Sequence, residues 1–375
     1  MDHTILVGDV RERLRDLPDD SVHCCVTSPP YYRLRDYGVP GQIGLEPTLA
    51  EYLAAMVDVF CEVRRVLRPD GTVWLNIGDS YARDPGKGSG RADGIVDDRS
   101  QRNRNGTIAG SFGLKEKDLM MVPARLAIAL QEDGWWVRSD IIWHKKAPMP
   151  ESVTDRPTSA HEHVFLLAKA PRYFYDADAV REEGAGRMDL GNMRYEGRLD
   201  PGSWTNTEKA EANGRNQRNV WTLGPEPFPE AHFATFPTEI PRRAIKAGTS
   251  ERGVCADCGA PWVRQVERTP MVLARSERGT QMGEFGRTQT SGTMVQAPSS
   301  RTIGWTPGCR CDAGEPVPAL VLDPFLGSGT TMLVADQLGR ACVGIELNPE
   351  YAAMAERRVI SSAPMLARVR VDTGA

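Results

Sequence analysis

The sequence of 375 residues has no apolar run of about 18 residues or more, which excludes a membrane span read from hydropathy. Its first residues, Met1-Asp2-His3-Thr4, carry no basic stretch followed by an apolar one, which argues against secretion and leads to the expectation of a cytoplasmic protein. Charge of one sign is also missing. The 46 Lys and Arg against 50 Asp and Glu give a formal net charge of −4, so the whole molecule is not a generic polyanion binder and any nucleic-acid surface has to be local. No internal repeat is visible. Cysteine is scarce, with 8 in all, and without an export signal a disulfide framework is not expected.

What is present is an alternation of strands and helices. Hydrophobic residues make up 40% of the chain, enough for a real core in one large or two ordinary domains. Residues 4–7, 22–27, 72–77, 135–144, 163–168, 319–322 and 342–345 read as strands. The apolar spacing of Leu53, Met56, Val57, Phe60, Val63 and Val66 predicts a helix over 51–66, stopped by the turn signal Arg68-Pro69-Asp70-Gly71. Further helices are expected over 119–131 and from the glycine-rich turn to Leu338. This is an α/β pattern, and it implies a mostly parallel sheet. Polar tracts at 81–113, 181–219 and 267–301 break it.

The stretch VLDPFLGSGTTMLVADQLGRACVGIEL is a strand, a glycine-rich turn, a helix and a second strand. Gly327 and Gly329 let a ligand approach the main chain, and Glu346, roughly 20 residues on, ends a strand where an acid can accept from ribose hydroxyls. A dinucleotide site of the G-x-G-x-x-G kind requires glycine at position 332, which is methionine. Asp323 at the strand end would repel a phosphate and suits a cationic or zwitterionic ligand. S-adenosylmethionine, with an ammonium, a sulfonium and a ribose, matches that layout better than NAD.

Near the other end of the chain, Thr27-Ser28-Pro29-Pro30-Tyr31-Tyr32 follows the apolar strand. An exocyclic amine on a nucleobase is a poor nucleophile because its lone pair is delocalised into the ring. Two acceptors that hold its hydrogens make it competent, and Ser28 Oγ and the Pro29 carbonyl are such a pair, aimed by proline's fixed backbone. Tyr31 can stack on a base turned out of a duplex.

Thr27 to Tyr31 resembles the (S/D/N)-P-P-Y catalytic motif of the amino-methyltransferases, and Asp323 to Thr331 resembles their D-P-F-x-G-x-G-T-T cofactor motif. HFATFPTEIPRRAIKAG, LRPDGTVWLNIGDSY, GWWVRSDIIWHK and RPTSAHEHVFLLAK resemble the remaining blocks, in the circularly permuted order of the β-class DNA amino-methyltransferases. The resemblance covers nearly the whole chain apart from the polar tracts. It implies a Rossmann-like methyltransferase sheet of seven strands, with 163–168 the antiparallel one, and inserted recognition and zinc-knuckle-like segments. Residues 1–175 would be the catalytic half, 176–230 the target recognition region, and 231–375 the cofactor half with a cysteine-rich insertion at 250–315. It also implies Ser28, Pro29, Pro30 and Tyr31 as catalytic residues. Asp9, Thr27, Phe236, Pro237, Asp323, Phe325, Gly327, Ser328, Gly329, Thr330, Thr331, Glu346 and Asn348 would form the S-adenosylmethionine site. Double-stranded DNA is the implied partner. A homodimer is common in that class, though no stretch of the sequence marks one.

Serine at the first motif position leans towards cytosine N4, and adenine N6 is the alternative. Cytosine C5 chemistry needs a nucleophilic cysteine, usually after proline, and no Pro-Cys dipeptide occurs. Protein-glutamine methylation, which uses asparagine at the first position, and an idle DNA-binding module rank behind both. Arg33, Arg35, Arg102, Arg104, Arg187, Arg194 and Arg215 are the candidate DNA contacts, on phosphates or guanines.

Of the cysteines, Cys24, Cys25, Cys61 and Cys342 lie in apolar stretches and read as reduced core residues. Cys255, Cys258, Cys309 and Cys311 form a C-x-x-C and a C-x-C pair, which predicts a structural zinc site. A catalytic zinc is not expected, because methyl transfer from a sulfonium needs no Lewis acid.

Overall fold

The computed structural model describes residues 1–82, 113–182, 215–226, 236–269, 272–275, 292–296, 299–312, 314–363 and 367–374. In chain order the elements are β1 (Asp2–Val7), α1 (Val10–Arg13), β2 (Val22–Thr27), α2 (Leu49–Val66), β3 (Leu67–Ile77), α3 (Val122–Glu132), β4 (Trp136–Lys145), β5 (His161–Ala168), β6 (Val220–Leu223) and α4 (Glu239–Gly248). They continue with β7 (Trp262–Thr269), β8 (Val272–Arg275), β9 (Gly292–Gln296), β10 (Ser299–Pro307), β11 (Leu320–Asp323), α5 (Thr330–Gln337), β12 (Ala341–Glu346), α6 (Pro349–Ser362) and β13 (Arg368–Asp372).

One sheet carries both ends of the chain. Its order is β13-β1-β12-β11-β2-β3-β5-β4-β6. Every neighbouring pair is parallel except those that β5 makes with β3 and β4, so β5 is the single antiparallel strand, as expected. The sheet has nine strands rather than seven. The additional two are short edge strands: β13 pairs with β1, and β6 with the end of β4. Neither has the apolar run of a central strand. β6 is held instead by Trp221, which is buried and stacks on Trp74 of β3 with ring centroids 6.2 Å apart.

The central strands are buried on both faces, which is why they read as continuous apolar runs rather than alternations. Cys25 of β2 and Val73, Leu75 and Ile77 of β3 face a core closed by α2 and α3. Cys24 and Val26 of β2, with Trp74 of β3, face a second core closed by α4, α5 and α6. Helix α2 begins with a full capping box, in which Thr48 and Glu51 satisfy each other's backbone amides.

Two local expectations are corrected. The turn signal at 68–71 makes no loop. Strand β3 already starts at Leu67, and the Arg68–Asp70 ion pair at 2.9 Å sits where the β2–β3 register shifts, between Val22 and Cys24. Cys61 is not a core residue. It lies exposed on α2 with its Sγ 3.5 Å from the Asp133 carboxylate, whereas Cys24, Cys25 and Cys342 are buried.

The described strands between 262 and 307 lie outside the main sheet. β7 and β10 form an antiparallel ribbon, and β8 and β9 pair as a second one.

Candidate active site

The carboxyl ends of β1, β12, β11 and β2, adjacent in the sheet, open onto one cavity of about 1130 Å³, counted out to its mouth. Ligands of open α/β sheets bind at this end of the strands. Ser28, Pro29, Pro30 and Tyr31 line it from β2; Phe325, Gly327, Ser328 and Thr330 from β11 and the turn; Glu346 and Asn348 from β12; Asp9 from β1. Phe236 closes it from the start of α4. Thr27 Oγ1 donates to Asp323 Oδ1 at 2.7 Å, so the two motifs touch across 296 positions of sequence.

Not every residue expected to hold the cofactor reaches the cavity. Asp323 is 1% exposed and lies behind the wall, where its Oδ1 also accepts the Phe325 amide at 3.1 Å. Burial pushes its carboxyl up to about 6. Its Oδ2 has no hydrogen-bond partner among the described residues. Thr27 and Thr331 are likewise buried seam residues; Thr331 Oγ1 donates to the Val26 carbonyl at 3.2 Å. Pro237 is buried and accepts the Ile240 amide at 3.0 Å. Gly329, at φ +76°, is glycine for packing: a Cβ there would stand 2.9 Å from that of Ala355 on α6. These residues shape the wall from outside it.

The turn itself is tightly fastened. Ser328 Oγ and Thr330 Oγ1 accept from Arg358 Nη1 at 3.0 and 2.9 Å. Glu346 Oε2 accepts the Gly327 amide at 2.8 Å and its Oε1 the Asn348 amide at 2.9 Å, while burial raises its pKa. A carboxylate offers about four acceptor positions, so it keeps capacity for a ligand's hydroxyls. The Asn348 side chain caps α6 through the Glu350 amide at 2.9 Å. Asp9 caps α1 and is ion-paired with Arg11, whose hydrogen bonds hold its carboxyl below the usual range.

Around Tyr31 and Ser28 the structure assembles a polar network in which Asn76, Lys145 and Glu162 had no role assigned from the sequence. The Tyr31 hydroxyl donates to Glu162 Oε2 at 2.6 Å. Asn76 Nδ2 reaches Glu162 Oε2 at 3.0 Å, the Tyr31 oxygen at 3.1 Å and Ser28 Oγ at 3.3 Å. Lys145 pairs with the other oxygen of Glu162. Burial, with Glu162 beside it, raises the Tyr31 phenol well above its ordinary range, so it is a donor and not a base. Gly78 is required beside the ring, because a Cβ there would lie 2.8 Å from Tyr31 Cε2. The signal for Asn76 was available as a polar residue in an otherwise apolar strand. Glu162 could be found only from the antiparallel placement of β5, which brings its first residues to the carboxyl ends of β3 and β4.

In the segment after the motif only Arg33 and Arg35 were singled out, as DNA contacts, and its part in the cavity wall was missed. Leu34, Arg35, Tyr37, Val39, Gln42 and Ile43 form one side of the cavity, and Tyr37 meets Tyr351 of α6 edge-on at 6.5 Å. This stretch has no periodicity to betray it.

Among the arginines expected on DNA, Arg35 lines the cavity. Arg33 donates from Nε to the Glu46 carbonyl at 3.2 Å, and Arg215 is paired with Glu182 at 2.9 Å. Arg102, Arg104, Arg187 and Arg194 lie outside the described residues, as does most of the expected recognition region 176–230. Cys255, Cys258, Cys309 and Cys311 come together outside this cavity's lining, with their sulfurs all within 4.8 Å of one another.

A DNA methylase family model matches residues 22–259 and 314–357. The type II methyltransferase M.SmaI of Serratia marcescens is 38% identical over 357 residues, covering 95% of this chain and 90% of that one. The fold is shared with a Thermus thermophilus protein described as a putative DNA modification methylase, solved in complex with S-adenosyl-L-methionine (TM-score 0.52, 21% identity, 100% of this chain and 99% of that one). It is shared too with the PvuII DNA methyltransferase, described as cytosine-N4-specific (TM-score 0.52, 16% identity, 99% and 96%). With its two motifs facing one cavity, the chain belongs to the DNA methylase family and is a DNA amino-methyltransferase related to the type II enzymes.

Proposed function

We propose that the protein transfers a methyl group from S-adenosylmethionine to the N4 amine of a cytosine turned out of duplex DNA. The observation that carries this reading is the shared cavity: Ser28, Pro29 and Tyr31 face the same space as Phe325, Gly327 and Glu346. The wall fits the cofactor chemically. It has carboxylates at Asp9 and Glu346 and aromatic rings at Phe236 and Phe325, which suit a cationic nucleoside better than a phosphate. The cofactor, when bound, supplies an electrophilic methyl on a sulfonium.

The remaining work falls to the chain. Glu346, already fixed by two backbone amides, accepts from ribose hydroxyls. Ser28 Oγ, held by the Asn76 amide, and the Pro29 carbonyl accept the two amine hydrogens and turn the lone pair towards the methyl. Tyr31, its hydroxyl tethered to Glu162, presents a fixed ring to the extruded base. The Glu162 carboxylate lies near the positive charge that develops on the amine and stabilises it electrostatically. Cytosine is favoured because the first acceptor is a neutral hydroxyl, and the PvuII enzyme of the same fold is described as cytosine-N4-specific. The test is incubation with S-adenosylmethionine and mixed-sequence duplex DNA, digestion to nucleosides and mass spectrometry. N4-methylcytosine is expected; N6-methyladenine as the product would overturn the base assignment, and no methylated base would overturn the reading itself.

A further inference from the structure

The four sulfurs of Cys255, Cys258, Cys309 and Cys311 lie within 4.8 Å of one another, and none is in a disulfide. A tetrahedral thiolate site with metal–sulfur bonds of about 2.3 Å has sulfurs about 3.8 Å apart, so the cluster closes on an ion by small side-chain rotations. The backbone is built for it. Between the first two cysteines the chain makes a tight turn, with the Gly259 amide on the Cys255 carbonyl at 2.9 Å and the Cys255 amide on the Ala260 carbonyl at 2.8 Å. Val254 is bridged to Val317 by reciprocal bonds of 2.8 and 2.9 Å, which brings the second pair alongside.

The turn is docked on the catalytic half. Arg68 of β3 donates to the Cys258 carbonyl at 2.7 Å. His23 of β2 bonds the Gly259 carbonyl through Nε2 at 3.0 Å and accepts the Leu320 amide of β11 on Nδ1 at 3.1 Å. Gly259 sits at φ +69°, where a side chain is strained, and a Cβ there, 2.6 Å from Arg68 Nη1, would displace that guanidinium from the Cys258 carbonyl. These contacts lie at the amino ends of β2, β3 and β11, the opposite end from the cavity.

We infer that the four cysteines bind one thiophilic divalent ion, zinc in the first instance, and that the ion staples the excursion 259–308 to the amino ends of β2, β3 and β11. An ion that closes a long loop stabilises chiefly by restricting the unfolded chain, as a disulfide does. The role is independent of the methyl-transfer chemistry.

Elemental analysis of the freshly purified full chain should find one zinc per molecule, and the Cys309→Ser/Cys311→Ser variant should have lost it. Metal-free protein given cobalt(II) should develop the intense visible bands of a tetrahedral thiolate site, a readout that remains if the variant fails to fold. Removing the metal should lower Tm by more than about 5 °C, while S-adenosylmethionine still binds below the new midpoint. Absence of metal, metal retained without Cys309 and Cys311, or thiol titration showing two disulfides would overturn the site. An unchanged Tm after metal loss would overturn the staple.

Discussion

The two ends of β2 are joined to the same neighbour, β11, by different means. At the carboxyl end the Thr27 hydroxyl meets the buried Asp323 carboxylate at 2.7 Å. At the amino end a half-buried His23 accepts the Leu320 amide at 3.1 Å, and loss of solvent around the ring pushes its imidazole down to about 4, so it stays neutral. The first end places a charge where an apolar or neutral group would be less costly, and that end carries both motifs. The second end uses a neutral ring, and it carries the cysteine cluster. A costly buried acid is retained beside the cavity, whereas the opposite rim uses neutral groups.

The largest test of this contrast is chemical. Tyr31→Ala should lower kcat by roughly 10²-fold or more, the effect expected when the reacting base loses the ring that positions it. S-adenosylmethionine affinity and metal content should change little, which calorimetric titration and elemental analysis would report. Retained turnover would contradict the role of the ring.

The charge at the carboxyl end has a defined pH signature. The Asp323 pKa is raised from 3.8 to about 6 by burial, so the stability contributed by its protonated form is complete below pH 3.8 and is lost as the pH rises to about 6. Asp323→Asn should abolish that decline and leave the protein more stable at pH 7, by less than the ~3 kcal/mol of the linkage because the new amide hydrogens lie buried without an acceptor. Urea unfolding from pH 4 to 7 measures both; equal slopes in the two proteins would show that the buried carboxyl does not titrate across that window.

Glu162→Gln keeps an acceptor for the Tyr31 hydroxyl and removes the pairing with Lys145. It should lower kcat by about 10²-fold, as misplacement of a catalytic group does, with S-adenosylmethionine affinity intact. A change in affinity alone would show that the residue acts on the fold of the cofactor wall. The smallest effect is expected from Thr27→Val, which strips one hydrogen bond from an already buried carboxylate and should cost about 1–3 kcal/mol in urea unfolding. The substitution leaves the cysteine end untouched, so metal content should not follow stability.

Much of this molecule is legible along the chain because its central strands are buried on both faces and run apolar from end to end. Val22 to Thr27 and Ala341 to Glu346 show this directly. The edge strands β6 and β13 were not legible, because a short strand with one neighbour needs no such run. Ser28, Tyr31 and the glycine-rich turn stood out because prolines and glycines fix unusual backbone locally. Asn76, Lys145 and Glu162 did not, since each sits on a different strand and acquires meaning only from their pairing. The wall formed by 34–43 follows no period at all.

By itself the sequence determined the class of sheet and the order of the two motifs, and it marked the residue types proposed for the chemistry. These are local properties, set by burial pattern and by the backbone limits of proline and glycine. Tertiary structure alone decided that Asp323, Thr27 and Thr331 lie behind the cavity wall and that Glu162 holds Tyr31. Those facts depend on which strands become neighbours and in which direction β5 runs, and parallel pairing across hundreds of residues leaves no mark on any short stretch of chain.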